Sequence, residues 1–313
     1  MNKNKLLFAI VIIVFCFTNA MLTEKIEFSS AQLYPEGIAY DAKTKRIFVS
    51  SLYMGKVGYV DSKGNYNVFC NDAKLISTVG MKYNAANNKL YVINVDGGLS
   101  TRTSPETLKK INQLVIINGK TGVIENTIEL GDLYQGKHFM NDLTIDKNNN
   151  VYITDSYSPV IYKVDSKNNK SIFVTSDLLK PDSNAIGVNG IDWNAEGYLL
   201  VAKTVEGSLL KITMDGKVTQ VQLADNVKWA DGILFTKKNE MVVVQNRSGK
   251  ITFLKSDDNW KSATVVKEEK STDTFPTTAT QDDKKVYVIN SRLGELRGEK
   301  KESDKFVIDV IAK

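Results

Sequence analysis

Four oxygen-bearing side chains occupy matching places in four well-separated segments of the chain. They are Glu36 in Pro35-Glu36-Gly37, Asn141 in Met140-Asn141-Asp142, Asn189 in Val188-Asn189-Gly190, and Asp231 in Ala230-Asp231-Gly232. Each alone reads as a turn, because Asn-Gly and Asp-Gly are common turn dipeptides. Turn chemistry gives no reason for the shared register. Two carboxylates and two amide carbonyls suit a hard cation, and calcium accepts such mixed oxygen ligands at about 2.3–2.6 Å with tolerant geometry. Transition metals would favour nitrogen or sulfur ligands. The chain has one histidine, His138, and two cysteines, Cys16 and Cys70. Ser-His-Asp chemistry, Cys-His chemistry and multi-histidine metal sites would all have to run through His138, which argues against each.

These residues need a scaffold that brings distant segments to one point, and the sequence repeats accordingly. The first copy reads Gly37 to Asp41, Arg46 to Ser50, Lys56 to Asp61 and Tyr66 to Cys70. The third matches it with Asp142 to Asp146, Val151 to Asp155, Val160 to Asp165 and Ser171 to Thr175. A second copy opens at Gly80 and carries an insertion over about Asp96 to Asn112; others open at Gly190, Gly232 and Thr277. Asn141 and Asn189 are 48 residues apart, and Asn189 and Asp231 are 42 apart. Ile, Val, Tyr and Phe dominate the segments, and Asn, Asp and Gly mark the breaks, which predicts strands rather than helices. Four strands per copy at this period predict an all-β fold, a six-bladed β-propeller with four-stranded blades around a central pore. The first strand of each blade is then innermost, and its start lines the pore. The last copy is one strand short, with Val286 to Ser291 and Phe306 to Ile311; Glu24 to Phe28 is expected to supply the missing strand and close the ring.

The N-terminus has Lys3 and Lys5, an apolar run from Leu6 to Phe17, and small residues through Ala20. This predicts a signal peptide over residues 1–20 and a single propeller over 21–313. The apolar run is shorter than the roughly 20 residues that span a bilayer, so the mature chain is expected to be secreted or periplasmic and free of the membrane. Cys70 ends an apolar strand and reads as a buried, inert thiol. The net charge is +5, but its lysines and arginines are scattered; a nucleic-acid partner would call for a basic stripe interleaved with aromatics. The expected partner is a small-molecule substrate, and the sequence sets no oligomeric state.

The four segments around Glu36, Asn141, Asn189 and Asp231 resemble the ligand-bearing turns of the calcium-dependent six-bladed propeller hydrolases. That group comprises the SMP-30/gluconolactonase family, diisopropyl fluorophosphatase and, more distantly, the paraoxonases. Val188 to Trp193 is close to the family's asparagine-glycine motif, and Ala230 to Ile233 resembles its aspartate-glycine motif. The resemblance spans roughly residues 33 to 295. It implies that Glu36, Asn141, Asn189 and Asp231 hold one calcium ion, and that Asp231 is also catalytic. The implied activity is hydrolysis of lactones or esters, with phosphotriesters as a secondary class. A metal-bound carboxylate is a weakened base, which favours Asp231 as a nucleophile. Two departures stand out. Val79-Gly80 occupies the place of a paraoxonase histidine, so no histidine dyad forms, and His138 is expected at a pocket rim or on the surface. Phe139 stands where gluconolactonases carry a sugar-binding arginine. With Trp229, it predicts a more apolar substrate pocket, suited to a hydrophobic lactone or ester. The alternative is a non-catalytic propeller with structural calcium: Asn150 to Ser156 also resembles NHL repeats, and strictosidine-synthase-like proteins share the fold.

Overall fold

Runs of β-branched and aromatic residues separated by Asx turns give strands throughout the computed structural model, which describes residues 24–181, 186–296, 298 and 301–313. The expected signal peptide over 1–20 lies outside the described residues. Six small antiparallel sheets form. Blade 1 comprises Ile38–Asp41, Arg46–Val49, Val57–Val60 and Tyr66–Cys70; blade 2 comprises Ser77–Asn84, Lys89–Val95, Asn112–Asn118 and Ile124–Glu129. Blade 3 comprises Met140–Ile145, Val151–Asp155, Val160–Val164 and Lys170–Thr175; blade 4 comprises Val188–Asn194, Tyr198–Lys203, Leu209–Thr213 and Val218–Gln220. Blade 5 comprises Ala230–Lys237, Glu240–Gln245, Lys250–Lys255 and Ser262–Lys270, with Gln222–Leu223 added in parallel to its outer edge. The first strands of successive blades pack on one another all the way round, blade 6 returning to blade 1. The protein is a six-bladed β-propeller.

Each blade is apolar on both faces because both are covered by neighbours. Phe48, Val57 and Leu75 meet Leu90, Val92 and Val115 between blades 1 and 2, and Ile161 meets Leu199 and Val201 between blades 3 and 4. Burial of each such side chain contributes roughly 1.5–3 kcal/mol, so interfaces rather than single sheets hold the ring. Blade 6 is completed as expected. Glu24–Ser29 pairs antiparallel with Lys305–Ala312, from Glu24 opposite Val310 to Ser29 opposite Lys305, outside Lys285–Asn290 and Pro276–Gln281. Cys70 is buried, and burial pushes its thiol pKa up.

The insertion in blade 2 is an ordered clasp. Asp96 accepts from the Gly98 N–H at 2.9 Å and from the hydroxyls of Thr103 and Thr107 at 2.7 Å. From within that loop, Arg102 donates to the carbonyls of Gly55, Asp72 and Leu75 at 2.7–2.8 Å, tying blade 2 to blade 1. Among the described residues no helix is long and apolar enough to cross a membrane.

Candidate metal centre

Three of the four candidate ligands share one backbone feature. The pairing of the first two strands skips two residues in blades 3, 4 and 5: Met140 to Leu143, Val188 to Ile191, and Ala230 to Ile233. Asn141, Asn189 and Asp231 are therefore the first residues of β-bulges, which bend a strand and re-aim its side chains. Blade 6 has the same skip at Thr277 and blade 2 at Val79; Glu36 precedes the paired stretch of blade 1. The glycines that follow are required by close approach rather than by turn geometry. A Cβ on Gly37 would lie 2.2 Å from the Val79 carbonyl oxygen, and one on Gly190 would lie 2.3 Å from that of Asp231. Each small residue lets the next blade press against the bore.

The four side chains are nearly buried, with 5–8% exposure. Asn189 donates from Nδ2 to Asp231 Oδ1 at 2.5 Å, and Asn246 donates to the other Asp231 oxygen at 2.8 Å. Asn141 donates from Nδ2 to Ser156 Oγ at 2.9 Å, while that hydroxyl donates to the Val188 carbonyl at 2.8 Å. Ser156 thereby fixes which end of the Asn141 amide is the nitrogen. The Ser50 hydroxyl accepts from the Gly37 N–H at 2.6 Å and holds the backbone beside Glu36. Burial, then the charges of Asp231 and Asp142, push the Glu36 carboxyl well above the ordinary carboxylate range. Blades 1, 3 and 5 are not neighbours, so these carboxylates act on one another across the bore.

A second polar group, not singled out from the sequence, lies one step further along the same strands. Asp142 occupies the bulge position that is glycine in blades 1, 2, 4 and 5. Its pKa is raised to about 6 by burial, against the opposing charge of Lys82 and backbone N–H groups of Leu143 and Ile191. Lys82 of blade 2 reaches Asp192 of blade 4 at 3.4 Å. Asp192 also accepts from Thr144 Oγ1 at 3.0 Å and from the Phe235 N–H at 2.8 Å.

An oxygen-binding ion fits the upper ring on two observations. Glu36 Oε2 and Asn246 Oδ1 are buried acceptors with no hydrogen-bond partner, and orphaned acceptors of this kind point to a missing donor or cation. The surrounding donors are carboxylate and amide oxygens, which match calcium. Among the described residues no three His, Cys, Asp or Glu side chains group as metal ligands; two of the four candidates here, Asn141 and Asn189, are amides. Glu36, Asn141, Asn189 and Asp231 are the residues that would hold the ion.

His138 departs from the expected rim or surface position. Its side chain is 9% exposed and its Nδ1 lies 2.7 Å from the fully buried Asp155. Asp155 also accepts from the Phe139 and Tyr157 N–H groups at 3.0 Å and from the Tyr162 hydroxyl at 3.2 Å. The Asp155 hydrogen bond raises the His138 pKa. The pair braces the entry to blade 3. Phe139 is half-buried and tilts against Tyr157 at 6.0 Å. Trp229 is half-buried beneath the Arg247 guanidinium, 4.1 Å from the ring centre. Its φ of 63° is shared by Tyr34 at 43° and Phe275 at 59°, which stand two residues before Glu36 and Thr277 as Trp229 stands before Asp231. This conformation belongs to the blade entry.

No family model matches the chain, and no curated protein matches it in sequence. Solved structures match the fold along nearly the whole length. The major allergen Mala s 1 of Malassezia sympodialis is 15% identical, covers 93% of this chain and 96% of its own, and has a TM-score of 0.70. A gluconolactonase from Xanthomonas campestris is 12% identical over 93% of this chain and 90% of its own, with a TM-score of 0.63. Virginiamycin B lyase from Staphylococcus aureus is 13% identical over 93% and 99%, with a TM-score of 0.59.

Proposed function

We propose that the protein is a calcium-dependent hydrolase of lactones or esters, with phosphotriesters as a secondary class, working at the upper ring of the bore. The observation that carries this reading is the buried, unpartnered Glu36 oxygen, set across the bore from an Asp231 that two amides hold in place. A calcium ion bound there supplies polarisation of the substrate's carbonyl or phosphoryl oxygen. Glu36, Asn141, Asn189 and Asp231 would hold it. The amide N–H groups of Asn189 and Asn246 fix the plane of the Asp231 carboxylate, so one oxygen can be presented to the electrophile as a nucleophile. Phe139 and Trp229, which stand two residues before Asn141 and Asp231, would favour a hydrophobic acyl group.

The fold is shared with a gluconolactonase and with a lyase, and one residue favours hydrolysis over elimination. The lyase has a catalytically inactive form in which one histidine is replaced by alanine. In this chain the single histidine is bonded to Asp155 and Tyr162 within blade 3. The test is a panel of lactones, aryl esters and phosphotriesters assayed in calcium and in chelator. Turnover should vanish in chelator and return with calcium. If no member of the panel is hydrolysed at saturating calcium, the propeller is a binding module.

A further inference from the structure

We propose that Lys82 is the resident cation of the lower bore: its ammonium, paired with Asp192, ties blades across the axis and keeps the ring assembled without a metal ion. This assignment does not rest on the calcium reading of the upper ring.

In a propeller each blade touches only its two neighbours, so a contact between blades 2 and 4 has to cross the bore. Lys82 makes that contact through Nζ to Asp192 Oδ1 at 3.4 Å. Asp192 passes the connection on. The oxygen that meets Lys82 also accepts from Thr144 of blade 3, and the other accepts from the Phe235 N–H of blade 5. Thr144 Oγ1 in turn accepts from the Trp193 N–H at 3.0 Å, returning to blade 4. Four consecutive blades are thus joined through one carboxylate and one ammonium. Burial would lower the Lys82 pKa, but Asp192 and then Asp142 outweigh it and the pKa is raised, so the side chain is a permanent cation at neutral pH. Its side chain is 22% exposed and that of Asp192 is 11% exposed. Removing one partner of such a shielded pair strands the other charge, which is far more destabilising than losing a surface ion pair.

The variant Lys82→Met keeps the aliphatic length and deletes the charge. In chelator, wild type should melt cooperatively, and Lys82→Met should melt about 5–10 °C lower. Adding Asp192→Asn to Lys82→Met removes the stranded carboxylate while retaining an acceptor for Phe235, and should recover most of that loss. If Lys82→Met alone does not fold, a folded double variant supports the same conclusion. The proposal is overturned by a single variant within about 2 °C of wild type, by a double variant as unstable as the single one, or by a wild type that unfolds in chelator.

Discussion

Two tiers of the bore are built from the same inner strands and differ in how their charge is balanced. In the upper tier Glu36 and Asp231 interact across the axis among amides and hydroxyls, and Glu36 keeps an unpartnered oxygen. In the lower tier Asp192 meets the ammonium of Lys82. Asp142 sits between them, raising the Glu36 pKa on one side and feeling the Lys82 charge on the other. The lower tier carries its own cation and can serve as structure. The upper tier holds acceptors in excess, and it is there that we place the proposed ion. Position along one strand therefore separates a balanced charge from an unbalanced one within a few residues.

The comparison breaks most visibly at Asp231. Asp231→Asn should cut turnover by about 10³-fold and abolish the rise in melting temperature on adding calcium. The same variant in chelator should melt no lower than wild type, because a carboxylate repelling Glu36 has gone. Wild-type turnover in Asp231→Asn would remove this residue from the chemistry.

Asp142 gives the next largest effect. Its pKa is raised from 3.8 to about 6, so the folded chain holds this proton more tightly than the unfolded chain does. The group therefore costs nothing below pH 3.8, and its cost grows as pH rises, reaching at most about 3 kcal/mol above pH 6. In chelator, Asp142→Asn should raise stability at pH 7 and flatten the decline between those two values, as read from urea midpoints. A loss of stability at pH 7 would instead make Asp142 an obligatory partner of Lys82.

Ser156 offers the smallest and sharpest test. Ser156→Ala removes the acceptor that orients the Asn141 amide and should weaken calcium binding about tenfold by calorimetry, with little change in melting in chelator. Unchanged affinity would show that the amide is oriented by other contacts.

Much of this was legible in the residues. The period of the repeat, its strand composition and the missing strand of the last copy led to six blades and to closure by Glu24–Ser29. The shared register of Glu36, Asn141, Asn189 and Asp231 corresponds to their places at or just before the start of the first strands of blades 1, 3, 4 and 5. The glycines after three of them carried a different meaning from the turn dipeptides they resemble, because the pressure on Gly37 and Gly190 comes from the adjacent blade, distant in sequence. Lys82, Thr144 and Asp192 stayed hidden for a related reason. Each stands three residues after the first residue of its bulge, so the alternation that puts all three on the bore side follows only once the bulge is known. Their signal was faint but present: charged residues inside otherwise apolar strands. His138 was misplaced because Asp155, which holds it, lies 17 residues away on the second strand.

Closure of blade 6 has a consequence for how the ring is made. Glu24–Ser29 is synthesised long before its partner Lys305–Ala312, with the strands of five other blades in between. Until then the early strand has an open edge, and its pairing must await a contact of very high sequence separation, the kind that slows folding and exposes intermediates to aggregation. A chain truncated before Lys305 would retain five complete sheets and lose the seam that converts a row of blades into a circle.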